Sequence, residues 1–230
     1  MGGGQKITVR ERCILIVEGA HDQDVVEALL KARPDDVESP IDVLPLGGKT
    51  KLALTLEGLG EAPGFLDLYK AQDSPPARLG ILRDADSDPE GAFQSVCQAL
   101  ENARFPYPEK PGEFVEGEFA LTETMPLPVC VGVYIMPGSG LSGALEDLCW
   151  QGVCATPQAA CAEAFLDCLR AKGVFATPEH VLGKARAHAY IASMLDPEVH
   201  VGLAAKRGYW NLRSDAFNDL VHFIETLTRD

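Results

Sequence analysis

Ile14-Leu15-Ile16-Val17-Glu18-Gly19 and Leu79-Gly80-Ile81-Leu82-Arg83-Asp84-Ala85-Asp86-Ser87-Asp88 are the two stretches on which the fold turns. Each opens with an apolar run of four, the pattern of a strand buried on both faces in a parallel sheet. Each then runs into carboxylates. Parallel strands in such sheets bring their carboxyl ends to one edge, where ligands bind. Glu18 and the three aspartates are therefore expected to converge in one crevice. Crowded carboxylates favour a bound cation over unscreened repulsion, which makes magnesium the leading expectation.

Outward from these strands, the chain alternates. Val25, Val26, Leu29 and Leu30 give a helical stripe directly after Gly19, closed by Pro34. A short strand over 41–46 ends in Gly47-Gly48-Lys49. A helix with Leu52, Leu56 and Leu59 inward follows, with Thr50 as its cap. A helical piece over 65–70 precedes the strand 78–83, and Pro89 suits the first position of a helix reaching Asn102. The order βαβαβα implies an α/β fold, a parallel sheet flanked by helices. The acidic, proline-rich stretch 105–128 reads as a hairpin or an irregular insertion. Strand character returns over 129–136 and ends at Pro137-Gly138-Ser139-Gly140. Thus 8–140 is expected to form the α/β domain. Residues 141–230 read as a helical subdomain packed on it, with helices over 142–150, 157–171, 178–195 and 214–228.

The 230 residues suffice for one full core, or a core with a satellite. No apolar run is long enough to cross a bilayer, so no membrane is expected. A net charge of −14 argues against a protein that coats nucleic acid with a basic surface. It leaves room for a nuclease whose divalent ions cancel charge locally, with weak nucleic-acid affinity by the chain alone. The seven cysteines show no paired zinc spacing. Cys161 and Cys168, at helical spacing with Ala164, Phe165 and Leu169, read as core. The odd count, with no signal-peptide core in the opening residues, gives the expectation of reduced thiols in a cytoplasmic protein.

Each acidic or basic candidate has a plain alternative. Glu18 can bind a metal or move a proton, or simply favour a helix start; Gly19, with no Cβ, lets a phosphate approach the backbone. Asp84 and Asp86 share a side if strand geometry continues between them, and hard oxygens suit magnesium. Asp88 is either a third ligand or the cap of the Pro89 helix. Glu146 either reaches the crevice to hold a second ion or is an exposed helix acid. Lys184 and Arg186 either neutralise phosphate charge or decorate a solvated helix face. Lys49 is a phosphate-binding candidate, although Gly47-Gly48-Lys49-Thr50 lacks the spacing of a P-loop. His21 is a candidate proton carrier or a helix-start residue, and Tyr209-Trp210 reads as a core anchor.

A hydrophobic strand, Val17-Glu18-Gly19, a helix, and a later strand closing in Asp84-Ala85-Asp86 resembles the Toprim fold. Topoisomerases, bacterial primases, ribonucleases that mature ribosomal RNA and nucleases of the overcoming-lysogenisation-defect type share it. The resemblance spans roughly residues 10 to 140, with Gly47-Gly48-Lys49 where many members carry a glycine turn. It implies magnesium (or manganese) on Asp84 and Asp86, and proton transfer or metal binding by Glu18. It also implies a nuclease acting on nucleic acid, often beside a partner ATPase. The alternative in another class is a metal-binding regulatory module that acts through a partner and does little chemistry. Self-association is left open.

Overall fold

The computed structural model describes residues 7–33, 40–60, 62–69, 75–122, 125–174 and 179–229. Pro34, Lys70 and Pro178, each expected to bound a helix, lie outside the described residues. Five strands form one sheet: β1 (Cys13–Val17), β2 (Ile41–Pro45), β3 (Ala77–Asp84), β4 (Phe114–Thr122) and β5 (Met125–Met136). Their spatial order is β2-β1-β3-β5-β4, and only the β4–β5 pair is antiparallel. The fold is therefore α/β with a mostly parallel sheet. Of the two readings of 105–128, the hairpin holds: β4 is its first arm, pairs with β5 and closes one edge of the sheet.

Burial on both faces follows from strand alternation. Cys13, Leu15 and Val17 point into one core, while Ile14 and Ile16 point into the other, and all five are fully buried. The second core holds α2 (Leu52–Gly60), α3 (Pro63–Asp67) and α4 (Pro89–Asn102) against the sheet, through Leu56, Leu59, Phe65 and Phe93. The first core carries α1 (Ala20–Ala32) together with α5 (Leu145–Val153), α6 (Pro157–Ala171), α7 (Glu179–Ile191), α8 (Val201–Lys206) and α9 (Asn218–Thr228). Residues after 140 thus share a core with β1 and form one of the two helical layers over the sheet. Each buried Leu, Ile or Phe in these cores contributes roughly 1.5–3 kcal/mol.

Two glycines set how α9 sits. Gly80 and Gly132 are register partners on β3 and β5. A Cβ at Gly80 would crowd Leu15, Leu227 and Phe223, and one at Gly132 would run into the Phe114 ring. The slot they open lets Phe223 stack on Phe114, with ring centroids 4.8 Å apart. Trp210 is buried as the sequence suggests, its indole N–H donating to the Val201 carbonyl at 3.0 Å.

Helix α6 corrects the cysteine reading. It buries Ala159, Ala162 and Leu166, at spacings of three and four, and leaves Cys161, Phe165 and Cys168 exposed. Small alanines allow closer approach to α7 than the Cys–Phe stripe would, and that face wins. Among the described residues no helix is long and apolar enough to cross a membrane.

Candidate functional site

β1 and β3 end side by side, and their ends touch. The backbone N–H of Asp84 donates to Glu18 Oε1 at 3.3 Å, and Arg83 Nη1 lies 3.0 Å from the same oxygen. Glu18 starts the turn into α1, and its carbonyl also accepts the Gly48 N–H at 2.9 Å. That bond brings the Gly47-Gly48 turn to this edge, with both glycines at positive φ. Lys49 begins the following 3-10 turn; its side chain lies outside the described residues.

Two helix starts close over the strand ends. At α1, Asp22 folds back so that Oδ2 accepts the Gly19 N–H at 2.8 Å; at α5, Asp147 Oδ2 accepts the Ala144 N–H at 2.8 Å. Both are the carboxylate half of a capping box, which leaves the other N–H groups of each first turn without a helical partner. One of them, Leu145 N–H, donates to Asp84 Oδ1 at 3.1 Å. Helix α7 brings the fourth wall. A Cβ at Gly183 would overlap the Asp147 carboxylate, so glycine lets α7 pack down onto α5 and carries half-buried Lys184 inward.

Charge shows how tightly these groups are gathered. Burial, then the Asp22, Glu18 and Glu146 carboxylates, push the Asp84 carboxyl well above the usual range, against the opposing Leu145 N–H. Burial pushes Asp22 up to about 6, opposed by the Gly19 N–H and reinforced by Glu18 and Glu146. Burial works against the Lys184 ammonium, yet Glu146, Asp84, Asp86 and Glu18 together raise its pKa. Five carboxylates and two cations therefore share one half-buried space. The buried Arg83 Nε has no acceptor among the described residues, a donor suited to an anion.

The surplus of negative charge fits a hard dication, which hydrogen-bonded carboxyls would otherwise replace with protons. Among the described residues no three His, Cys, Asp or Glu side chains already stand in ligating positions. The carboxylates ring the crevice without closing on one point.

A family model described as a protein of unknown function (DUF3226) matches residues 12–229. The chain belongs to that family. No curated protein and no solved structure matches it. The matched span includes every residue of the crevice, from Glu18 to Lys184.

Of the sequence candidates, Glu18, Gly19, Asp84, Asp86, Glu146 and Lys184 come together here. Asp86 does so by a different route from the one expected. β3 stops at Asp84, and Asp86 takes a left-handed conformation (φ 50°) paired with Gly143 in an isolated bridge, so strand alternation does not set its direction. Asp88 is the N-cap of α4, its Oδ1 accepting the Gly91 N–H at 2.9 Å. Arg186 is engaged elsewhere, in a two-pronged ion pair with Glu163 at 2.7 and 2.8 Å, with its guanidinium over Trp150. His21 stacks on His200 at 4.1 Å between ring centroids. Asp22 and Arg83 were missed. Asp22 was legible as an acid in the first turn of the helix after Glu18-Gly19, and Arg83 as the cation beside the aspartates.

Proposed function

We propose that this protein is a phosphodiester-cleaving enzyme dependent on magnesium or manganese, with nucleic acid as its substrate. The observation that carries this reading is the meeting of Glu18, Asp22, Asp84, Asp86 and Glu146 with Lys184 at the carboxyl edge of the sheet. Asp84, Asp86, Glu146 and Asp22 would hold the dication, which when bound supplies Lewis-acid polarisation of a phosphoryl oxygen. Glu18 would take the proton of the attacking water. Arg83, lying against Glu18, would hold that carboxylate in place and offer its spare N–H to a phosphate oxygen. Lys184 would neutralise charge building on the phosphate as the P–O bond breaks. The Toprim resemblance of Val17-Glu18-Gly19 and Asp84-Ala85-Asp86 supports the same chemistry.

The test is incubation of the pure chain with single- and double-stranded DNA and RNA plus Mg²⁺ or Mn²⁺. Cleavage that disappears in Glu18→Gln and Asp84→Asn, with folding retained, is the expected result. Cleavage that survives both substitutions overturns the reading.

A second reading has its own support in the net charge of −14 and in carboxylates that do not yet converge. Here the crevice binds metal in a regulatory module, and a partner such as an ATPase supplies the chemistry. Metal binding by calorimetry, with no cleavage of any nucleic acid until the partner is added, would select it.

A further inference from the structure

A cavity of about 700 Å³ opens at the same edge of the sheet, on the β5 side. One wall is the start of α4 at Pro89 and Glu90, and another is the start of α9 at Asp219 and His222. The third is the Gly138-Ser139-Gly140 loop. The partition between cavity and crevice is thin. Asp86 and Gly143 exchange backbone hydrogen bonds of 2.8 and 2.7 Å, and both run into the cavity walls three residues away. Three residues span at most about 11 Å. A nucleotide reaches about that far from its phosphate to its base.

The lining has a readable polarity. Asp219 presents a carboxylate held by the Ser139 hydroxyl, which donates to its Oδ2 at 3.3 Å. Beside it, Gly138, Ser139 and Gly140 take three successive positive-φ conformations, at 111°, 52° and 70°. Among the described residues, none of their N–H groups donates to another backbone carbonyl. A Cβ at Gly138 would overlap the Tyr134 hydroxyl, so the loop lies directly on the cavity floor. The site thus places a carboxylate acceptor next to backbone N–H groups, in a cavity whose lining includes the apolar side chains of Pro89, Pro111 and Ile135. Among the nucleobases, guanine presents the complement, two adjacent N–H donors beside a carbonyl oxygen. Its volume lies well inside the range of cavities that bury small ligands.

We propose that this cavity receives a guanine base of the substrate strand, with Asp219 reading its N–H edge and the 138–140 loop its carbonyl. This rests on the phosphodiester reading, because the base is placed by a phosphate lying over the carboxylate crevice. It makes the enzyme one that cuts next to guanine.

Calorimetry with guanosine 5′-monophosphate and its adenine, cytosine and uracil counterparts tests the pocket without any turnover, using the full chain. The guanine nucleotide is expected to bind at least tenfold more tightly than the others. Asp219→Ala is expected to lose that advantage. Ser139→Phe, at an exposed position where the added ring would fill the cavity, is expected to lose it too, so a folding defect in one variant leaves the other decisive. Cleavage of random-sequence strands, read by sequencing the ends, is expected to cluster beside guanine and to lose that bias in both variants. Guanine-selective binding with no cleavage of any strand keeps the pocket and removes the nuclease. Cleavage with no base bias, and equal or absent binding of the four nucleotides, keeps the nuclease and overturns the pocket.

Discussion

The N–H of Leu145, the first residue of α5, donates to Oδ1 of Asp84, the last residue of β3, at 3.1 Å. This bond fixes the helix start over the strand end. With the nearby Lys184 ammonium, it opposes the upward push of Asp22, Glu18 and Glu146 on the buried carboxylate. Asp84→Asn keeps an acceptor for Leu145 while removing a crowded charge. The metal-free variant is therefore expected to melt a few degrees higher than the parent, and metal-dependent cleavage to fall at least a hundredfold. Thermal melts in chelator, alongside cleavage assays, check both; a large drop in melting temperature would contradict the crowding argument.

Asp22 gives the pH dependence. Its carboxyl moves from the ordinary 3.8 to about 6 on folding, so the folded state binds the proton more tightly. Stability from this source is complete below pH 4 and is lost as pH rises through about 6, on the order of 3 kcal/mol in all. Urea melts of the metal-free chain should weaken between pH 4 and 7, and the Asp22→Asn chain should show a visibly flatter slope. Magnesium added at pH 7.5 should recover the loss. An identical slope in parent and variant would show that Asp22 does not carry it.

Arg83 and Glu18 are coupled at 3.0 Å, with side chains only 12% and 16% exposed. Removing one partner leaves a partly buried charge without its counter-ion. Arg83→Met is expected to cost about 2–3 kcal/mol, and much less when Glu18→Gln is already present. A double-mutant cycle that adds up would mean the two groups do not interact.

Gly183→Ala reverses the usual sign. Alanine in a helix interior is ordinarily better than glycine by about 1 kcal/mol. Here the methyl group would meet the Asp147 carboxylate, which is pinned by the Ala144 N–H. The variant is expected to be less stable than the parent and to lose activity as α7 and Lys184 move outward. A gain in stability would show that α7 does not pack on Asp147.

The thiols report on α6. Cys154, Cys161 and Cys168 are exposed, whereas Cys13, Cys97, Cys130 and Cys149 are buried. A thiol-reactive chromophore should label three cysteines quickly in the native chain and the other four only on unfolding. Slow labelling of Cys161 and Cys168 would place that face against something.

How much of this was legible in the chain depends on range. The strands β1 and β3, and the acids that end them, follow from local apolar runs, because burial on both faces leaves no other pattern. The edge strand β4 was only half legible: among the prolines and acids of 105–128 a hairpin and an irregular insertion read alike, since one-sided burial at a sheet edge tolerates both. Cys161 and Cys168 misled because the small-residue face of α6 and the Cys–Phe face have the same period, and only the partner helix decides between them. Glu146 and Lys184 were visible as candidates, yet their arrival at the crevice depends on the capping of α5 and on Gly183, neither of which has a local hydrophobic signal. Asp22 was overlooked although it is the third residue of the helix that opens just after Glu18.

Gly183 has a further consequence for when the crevice comes into being. Its groups arrive from residues 18 to 22, 83 to 86, 146 and 184, so a nascent chain still emerging from the ribosome holds them scattered. The lysine is the last of them along the chain, and α7 carries it in by packing on Asp147 through that glycine. Fragments cut short before this helix would carry the five acids with Arg83 alone to balance them.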